Sequence, residues 1–323
     1  QQLGFENAKP LSNPCADEVK RPDDSVELNA NYTTQYKSIV ARANYLAADR
    51  TDIQYAVKTL ATSMAKPTNG DWQKLKRLGR YLVGRPRLVI CYDWQAPLAR
   101  LTANSDSDWA GDKKTRKSAS GGIVRIRTHF IKSWSKNQSV IALSSAEAEL
   151  YAIIKTASET LGIMSLLWDW HVPMSADLLA DASAALGIIG RTGLGKMRHI
   201  DTSYLWLQQD CIKEKTKMQK VLGTENPADM NTKGLNVEQI DKFSKMLRME
   251  HRSGRADLAP EMHKFLHEEI CTRFNSTGAI ITKRPRRGKT ENNAKNKMNF
   301  EEKCIAGIEN WKCPCATKCQ CKN

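Results

Sequence analysis

The feature that most constrains this chain is a change in the period of its apolar residues near position 100. From Tyr36 to about Met64 they recur at helical spacing, through Ile39, Ala43, Tyr45–Leu46, Ile53, Ala56–Val57 and Leu60. That spacing predicts two helices, with Asp49–Asp52 separating them and capping the second. A third helix is predicted over about 71–83, with Leu75, Leu78 and Leu82 inward and Lys74, Lys76, Arg77 and Arg80 outward, ended by Gly84–Pro86. Residues 87–94 read as a strand. Beyond them the period falls to two: residues 101–109 and 121–138 alternate as strands, the latter as a hairpin. Residues 144–170 return to the helical period over a long run, and Ser144–Ser145 followed by Glu147 resembles a capping box. Short apolar strands at 177–181 and 218–223 alternate with helices at 182–190 and 199–215, and a last helix opens at Asn226 and runs to about Leu247. The order β-β-β-α-β-α-α-β-α predicts an α/β fold: a five-stranded mixed sheet flanked by helices, preceded by a small helical segment.

This patterning divides the chain into an extended lead-in (1–30), a helical segment (31–97), the α/β domain (98–248) and a basic, Cys-containing tail (249–323). The hydrophobic fraction of 41% supplies a real core, so wholesale disorder is not expected. Lys and Arg exceed Asp and Glu by 15, a balance that favours a polyanionic partner such as nucleic acid over ordinary solubility charge. With no run of about 18 apolar residues, no membrane partner is expected. The first residues lack an apolar leader, and Cys15, Cys91, Cys211 and Cys271 have no regular spacing, so the chain is expected to be cytoplasmic or nuclear, not secreted, with reduced thiols. In the tail, residues 283–297 form a basic run without apolar periodicity, expected to be disordered or to order only on a partner. Cys313, Cys315, Cys319 and Cys321, near Cys304, have C-x-C-x₃-C-x-C spacing, tighter than common zinc modules, so a Zn²⁺ site there is the weaker reading and a structureless tail the default.

Four acids fall where phosphoryl chemistry needs them. Asp106 closes the first strand of the mixed sheet, Glu149 lies in the first turns of the long helix, Asp181 ends a strand, and Asp229 lies in the first turn of the last helix. Strand ends and helix starts of this kind converge at one edge of an α/β sheet. Converging carboxylates repel unless a cation neutralises them, and oxygen ligands suit Mg²⁺. Each acid has a plainer role open to it. A lone Asp at a strand end is commonly a turn residue, and Asp181 is placed to N-cap the helix after it. Asp108 shares a strand face with Asp106, and Glu147 lies in the same turns as Glu149, about 200° around the helix, so only one of the two can join a cluster. Asp201 is a rival to Asp229.

The motifs in sequence order carry a specific resemblance. SDSDWAGDKKTRKSASGG, then SWSKNQSVIALSSAEAELYA, LLADASAALGI, MRHIDTSYLWLQQ and ENPADMNTKGL resemble the ribonuclease H domain of copia-type retrotransposon Pol polyproteins. Upstream, YKSIVARANYLAADRTDIQYAVKTLA and KLKRLGRYLVGRP resemble the segment that joins that family's reverse transcriptase to its ribonuclease H, and the resemblance covers roughly residues 1–248. It implies a ribonuclease H-like fold and an endonuclease that hydrolyses the RNA strand of RNA–DNA hybrids with two Mg²⁺ (or Mn²⁺) ions, leaving a 5′-phosphate and a 3′-hydroxyl. The metal-binding, catalytic acids it implies are Asp106, touching both ions, Glu149 and Asp181, touching one each, and Asp229, completing the second site. The hybrid is the implied partner, with the remainder of the Pol polyprotein as a further one. Arg116 and Lys117 are candidate phosphate contacts, with a solvated loop as the equal alternative. The loop before the last acid, GTENP, holds no His, and His199, earlier in the HID motif, is expected to orient its helix or to lie partly buried instead. The reverse transcriptase's paired-Asp motif is absent, so no polymerisation is expected. A second class of reading stays open: a catalytically inactive relic that binds nucleic acid or acts as a scaffold.

Overall fold

The computed structural model describes residues 8–15, 25–95, 100–193, 195, 199–212 and 216–254. The chain divides into two compact units, 1–259 and 260–323. The second unit, with the basic run and the Cys cluster of the tail, lies outside the described residues.

Its elements are α1 (Ala30–Leu46), α2 (Gln54–Thr62), α3 (Asn69–Gly84), β1 (Arg87–Ile90), β2 (Arg100–Asp108), β3 (Ala119–Ile126), β4 (His129–Asn137), α4 (Ser145–Asp169), β5 (Ser175–Ala180), α5 (Ser183–Ile189), α6 (Trp206–Ile212), β6 (Thr216–Lys220), α7 (Val237–Met246) and β7 (Met249–Arg252). The five-stranded sheet has the order β4-β3-β2-β5-β6. β4, β3 and β2 are antiparallel, and β2, β5 and β6 are parallel. This is the mixed α/β sheet that the alternation of periods predicts. Neighbouring residues of β3 show why both faces need cover: Val124 packs with Leu150, Ile153 and Ala157 of α4 and Ile188 of α5, whereas Ile123 packs with Met230, Ile240 and Phe243 on the opposite face. Among the described residues, α4 is the one helix long and apolar enough to cross a membrane, but ten of its residues are buried, so it is the core helix of the domain.

The helical segment has its own core, with Tyr36, Val40 and Ala43 of α1 against Val57, Leu60, Leu75, Leu78 and Tyr81. α1 is N-capped by Asn29 and α3 by a Thr68–Asp71 capping box. Two sequence expectations change here. Asp52 does not cap α2: its carboxylate takes two hydrogen bonds from Arg50 (2.9 and 2.8 Å) and one from the Tyr81 hydroxyl (2.7 Å), all buried. A desolvated guanidinium left without a counter-charge is costly, and Asp52 supplies that charge. The residue at position 249 does not begin a structureless tail, since β7 pairs antiparallel with β1 in the register Arg87↔Arg252 to Ile90↔Met249. That ribbon adds Leu88, Ile90 and Met249 to the cluster around Phe243.

The last predicted helix is in fact two elements. Pro227–Asn231 is a single 3₁₀ turn, and α7 starts afresh at Val237 under an Asn236–Gln239 capping box. Gly234 lies between them, where no side chain favours continuing the helix. The turn packs on the sheet because β3 carries two glycines there. A Cβ on Gly121 would stand 2.7 Å from the Thr232 methyl and 2.8 Å from Asn231 Cβ, and one on Gly122 would enter the Trp134 ring.

Asp52→Ala is expected to cost about 3–5 kcal/mol, because it leaves Arg50 buried without a counter-charge. The midpoint of denaturant unfolding measures this; a loss below about 1 kcal/mol would show that the pair does not hold the helical segment.

Candidate functional site

β2 and β5 are parallel neighbours with Asn104 level with Leu179. Two residues further along each, Asp106 and Asp181 therefore arrive at the same edge of the sheet. α4 packs across β2 and starts at that edge, which brings Glu149 over the same spot. One oxygen each from Asp106, Glu149 and Asp181 lie within 4.8 Å of one another. The sequence-predicted trio is thus brought together, and Asp229 joins from the turn Pro227–Asn231 as a buried, hydrogen-bonding neighbour of Asp106.

Glu149 and Asp106 are oriented by groups that do not titrate. Glu149 Oε1 accepts from the Ser107 backbone N–H (3.1 Å) and hydroxyl (2.9 Å). Its Oε2 is buried and has no hydrogen-bond partner. Asp106, 3% exposed, accepts from the Thr232 hydroxyl. The turn carrying Asp229 is stapled to the sheet by Asn226, which donates to Ser105 O (2.8 Å), by Asn231, which donates to Gly122 O (3.3 Å), and by the Ser135 hydroxyl, which donates to Asn231 O (2.5 Å). An Asp229 at the start of a long helix would be loosely held; buried in this turn it is fixed.

The alternatives resolve on contacts. Glu147 has its carboxylate taken up by Leu143 N–H (2.9 Å), the Tyr151 hydroxyl (3.0 Å) and His199 Nε2 (3.0 Å), and these together hold it below the ordinary carboxylate range against the cost of burial. Ser144 caps α4 through Glu147 N–H (3.2 Å), but the Glu147 side chain bonds Leu143 rather than Ser144, so the box is half formed. His199, expected to orient its own helix or to lie partly buried, instead bonds the start of α4, with its side chain exposed. Asp181 is not an N-cap, because α5 is led by Ala182 with no side-chain cap. Asp108 and Asp201 are outside the three-acid group. Arg116 is exposed and Lys117 half-buried, in the loop after β2.

One functional neighbour was missed in the sequence. Lys233 Nζ stands 3.0 Å from Asp229 Oδ1 and 3.7 Å from Asp106 Oδ2. In the motif NTKGL it reads as an ordinary surface lysine; only the sharp turn at 227–231 aims it inward.

Electrostatics follows from crowding. Burial, then the Asp229 charge, push the Asp106 carboxyl up to about 6. Burial, then Asp106, push Glu149 up to about 8. Asp181 is raised by burial and by Asp106, and Asp229 is raised by burial against the pull of Lys233. Burial would lower Lys233, but the charges of Asp106 and Asp229 outweigh it and raise it. Such a group of oxygen ligands, one of them buried and unpartnered, fits a divalent cation that prefers carboxylates and keeps water.

No protein-family model matches the chain. It is 32% identical over 243 residues to the retrovirus-related Pol polyprotein from transposon RE2 of Arabidopsis thaliana, covering 74% of this chain and 17% of that protein. It is 30% identical over 257 residues to the Pol polyprotein from transposon TNT 1-94 of Nicotiana tabacum, covering 77% of this chain and 19% of that one. The chain therefore spans less than a fifth of the length of these curated relatives. Among solved structures, the N-terminal ribonuclease H domain of a Mycobacterium tuberculosis protein aligns with 46% of this chain and 98% of that chain, at 14% identity and a TM-score of 0.31. On the sequence matches, which extend over about three quarters of its length, the chain belongs to the retrovirus-related transposon Pol polyproteins, and the module it presents is built on a five-stranded mixed sheet.

Proposed function

We propose that this module is a divalent-metal-dependent endonuclease that hydrolyses the RNA strand of RNA–DNA hybrids. The observation that carries the proposal is the Glu149 Oε2 atom, buried without a partner among three converging carboxylates. A buried carboxyl oxygen left without a partner costs stability unless something binds it. Asp106, Glu149, Asp181 and Asp229 are the residues that would hold Mg²⁺ or Mn²⁺. When bound, such an ion activates water and neutralises charge on the reacting phosphate. The chain's own part is to fix ligand geometry: Ser107 holds Glu149 with one oxygen free, Thr232 holds Asp106, and the Asn226–Asn231 staples hold Asp229. The choice of hybrid rests on the copia-type resemblance; contacts to hybrid shape and 2′-hydroxyls would supply it. The net charge of +15 favours the phosphate backbone, with Arg116 and Lys117 proposed as contacts near the site.

With Mg²⁺ or Mn²⁺ the protein is expected to cut the RNA of a labelled hybrid, to stop on chelation, and to leave single-stranded RNA and duplex DNA intact. Asp106→Asn keeps the shape and removes the central anion, so cleavage is expected to vanish while hybrid binding persists. Wild-type protein that is inert with both metals would show instead a non-catalytic nucleic-acid-binding module.

Hybrid affinity is expected to fall steeply with salt, by roughly a hundredfold between 50 and 200 mM for about four phosphate contacts. A flat response in a filter-binding or anisotropy titration would remove the polyanion reading.

Without metal, stability should depend on pH with a definite sign. The folded carboxyls of Asp106 and Glu149, at about 6 and about 8, hold protons more tightly than their unfolded counterparts at 3.8 and 4.5. Between those limits the native state carries more protons, so its stability falls as pH rises from about 4.5 to about 8. In chelator the melting temperature is expected to drop by about 5 °C or more across that range, at about 2–4 °C per kcal/mol. Adding Mg²⁺ at pH 8 should restore most of it. A melting temperature that stays level in chelator contradicts the assigned electrostatics.

A further inference from the structure

The acids of this site fall into two unequal halves. Asp106, Glu149 and Asp181 offer three oxygens within 4.8 Å of one another, with Glu149 Oε2 unpartnered. Asp229 stands outside that trio, and the space between it and Asp106 is faced by a cation that belongs to the chain. Lys233 Nζ is 3.0 Å from Asp229 Oδ1 and 3.7 Å from Asp106 Oδ2. Asp229 Oδ1 is otherwise buried and takes no aligned hydrogen bond, so this ammonium is its counter-charge. A divalent ion shared by the same two carboxylates would have to lie about 2.0–2.1 Å from each, within the reach of the ammonium. The two positive charges compete for one place. The placement of Lys233 is set by local structure: just past the 3₁₀ turn the Lys233 backbone N–H bonds Asp229 O (3.3 Å), an α-type i,i+4 closure that brings the two side chains to one side.

We propose that Lys233 takes the place of the second metal ion: the site binds a single divalent cation on Asp106, Glu149 and Asp181, and the Lys233 ammonium neutralises the Asp106–Asp229 half. This rests on the metal-dependent reading above and narrows it from two ions to one ion and one ammonium. In that arrangement Lys233 is a positioning residue for both acids in the absence of substrate.

The test is metal counting on the full-length chain with Mn²⁺ as the probe, by calorimetric titration and by electron paramagnetic resonance of free Mn²⁺, on wild type and Lys233→Met. The Lys233 side chain is 47% exposed, so Met leaves the packing in place, which circular dichroism verifies. Wild type is expected to bind one Mn²⁺, with any second ion at least tenfold weaker. Lys233→Met is expected to bind two, the second gaining tenfold or more in affinity. A second readout is the melting temperature. In chelator the variant should melt below wild type, because two carboxylates have lost their counter-charge, and saturating Mn²⁺ should close that gap. Equal stoichiometry in the two proteins, whether one or two, or a gap in melting temperature that Mn²⁺ leaves unchanged, overturns the role of Lys233 and leaves the metal-dependent reading standing. No Mn²⁺ bound by either protein, together with no hybrid cleavage, removes that reading and this inference with it.

Discussion

Like-charge repulsion among buried carboxylates is the constraint around which this edge of the molecule is arranged. At about 4.8 Å and an effective dielectric of about 20, each pair of ionised carboxylates repels by about 3–4 kcal/mol. Three such pairs would consume a large part of the roughly 5–15 kcal/mol that keeps a domain folded. The fold meets the cost in distinct ways. Burial and mutual repulsion retain protons on Glu149 and Asp106 at pH values where free carboxyls have lost them. Lys233 supplies a positive charge to Asp106 and Asp229. Neutral donors from Ser107 and Thr232 stabilise what charge remains. A site that holds its acids together at such cost is preorganised for a ligand that returns the energy on binding, and a divalent cation does this most directly.

Preorganisation depends on the close approach of the turn at 227–231 to β3. Asp106 is paired in register with Gly121, and the missing side chain there is what lets Thr232 and Asn231 lie against the strand. A larger residue would lift the turn and draw Asp229, Thr232 and Lys233 away together. The buried asparagines add direction: Asn226 and Asn231 both donate to strand carbonyls, so the turn has one seating rather than several.

Much of this was legible in the sequence, for physical reasons that differ by element. The strands and long helices were legible because half-buried sheets and amphipathic helices impose periods of two and about 3.6 on apolar residues. The split of the last helix was less so, since ENPADMNTKGL contains a helix start at each end and periodicity does not register a 3₁₀ turn. The pairing of β1 with β7 joins residues far apart in sequence, which no local pattern reports. Of the site, the four acids, Glu149 among them, could be placed by the family resemblance in motif order, whereas helix geometry alone did not choose between Glu147 and Glu149. Both lie in the same turns, and what separates them is the trio of donors, Leu143, Tyr151 and His199, that occupies Glu147. Lys233 was invisible for the opposite reason: a lysine before a glycine in a polar loop has the appearance of solvent-facing charge until the turn geometry is known.

The helical segment that precedes the sheet is part of this support rather than a separate bead. Gln54 at the start of α2 donates to Ser133 O of β4 (3.4 Å), and Thr51 bonds the Ser133 hydroxyl. Two residues along the same strand, Ser135 donates to Asn231 O, and the next residue of that turn, Thr232, donates to Asp106. Hydrogen bonds and strand backbone therefore link α2 through β4 and the turn to the central acid. At the other end of the segment, Arg85 pairs with Asp241 of α7 (2.7 Å), the helix that continues from the same turn. Interiors packed at crystal-like density transmit displacement rather than absorb it, so the seating of these helices bears on the position of Asp229 and Lys233. In sequence, residues 31–97 read as a helical segment resembling the one that joins the family's reverse transcriptase to its ribonuclease H. In three dimensions they act as a buttress for the acidic edge, and a fragment cut at residue 98 would lose β4's outer support and the strand that pairs with β7.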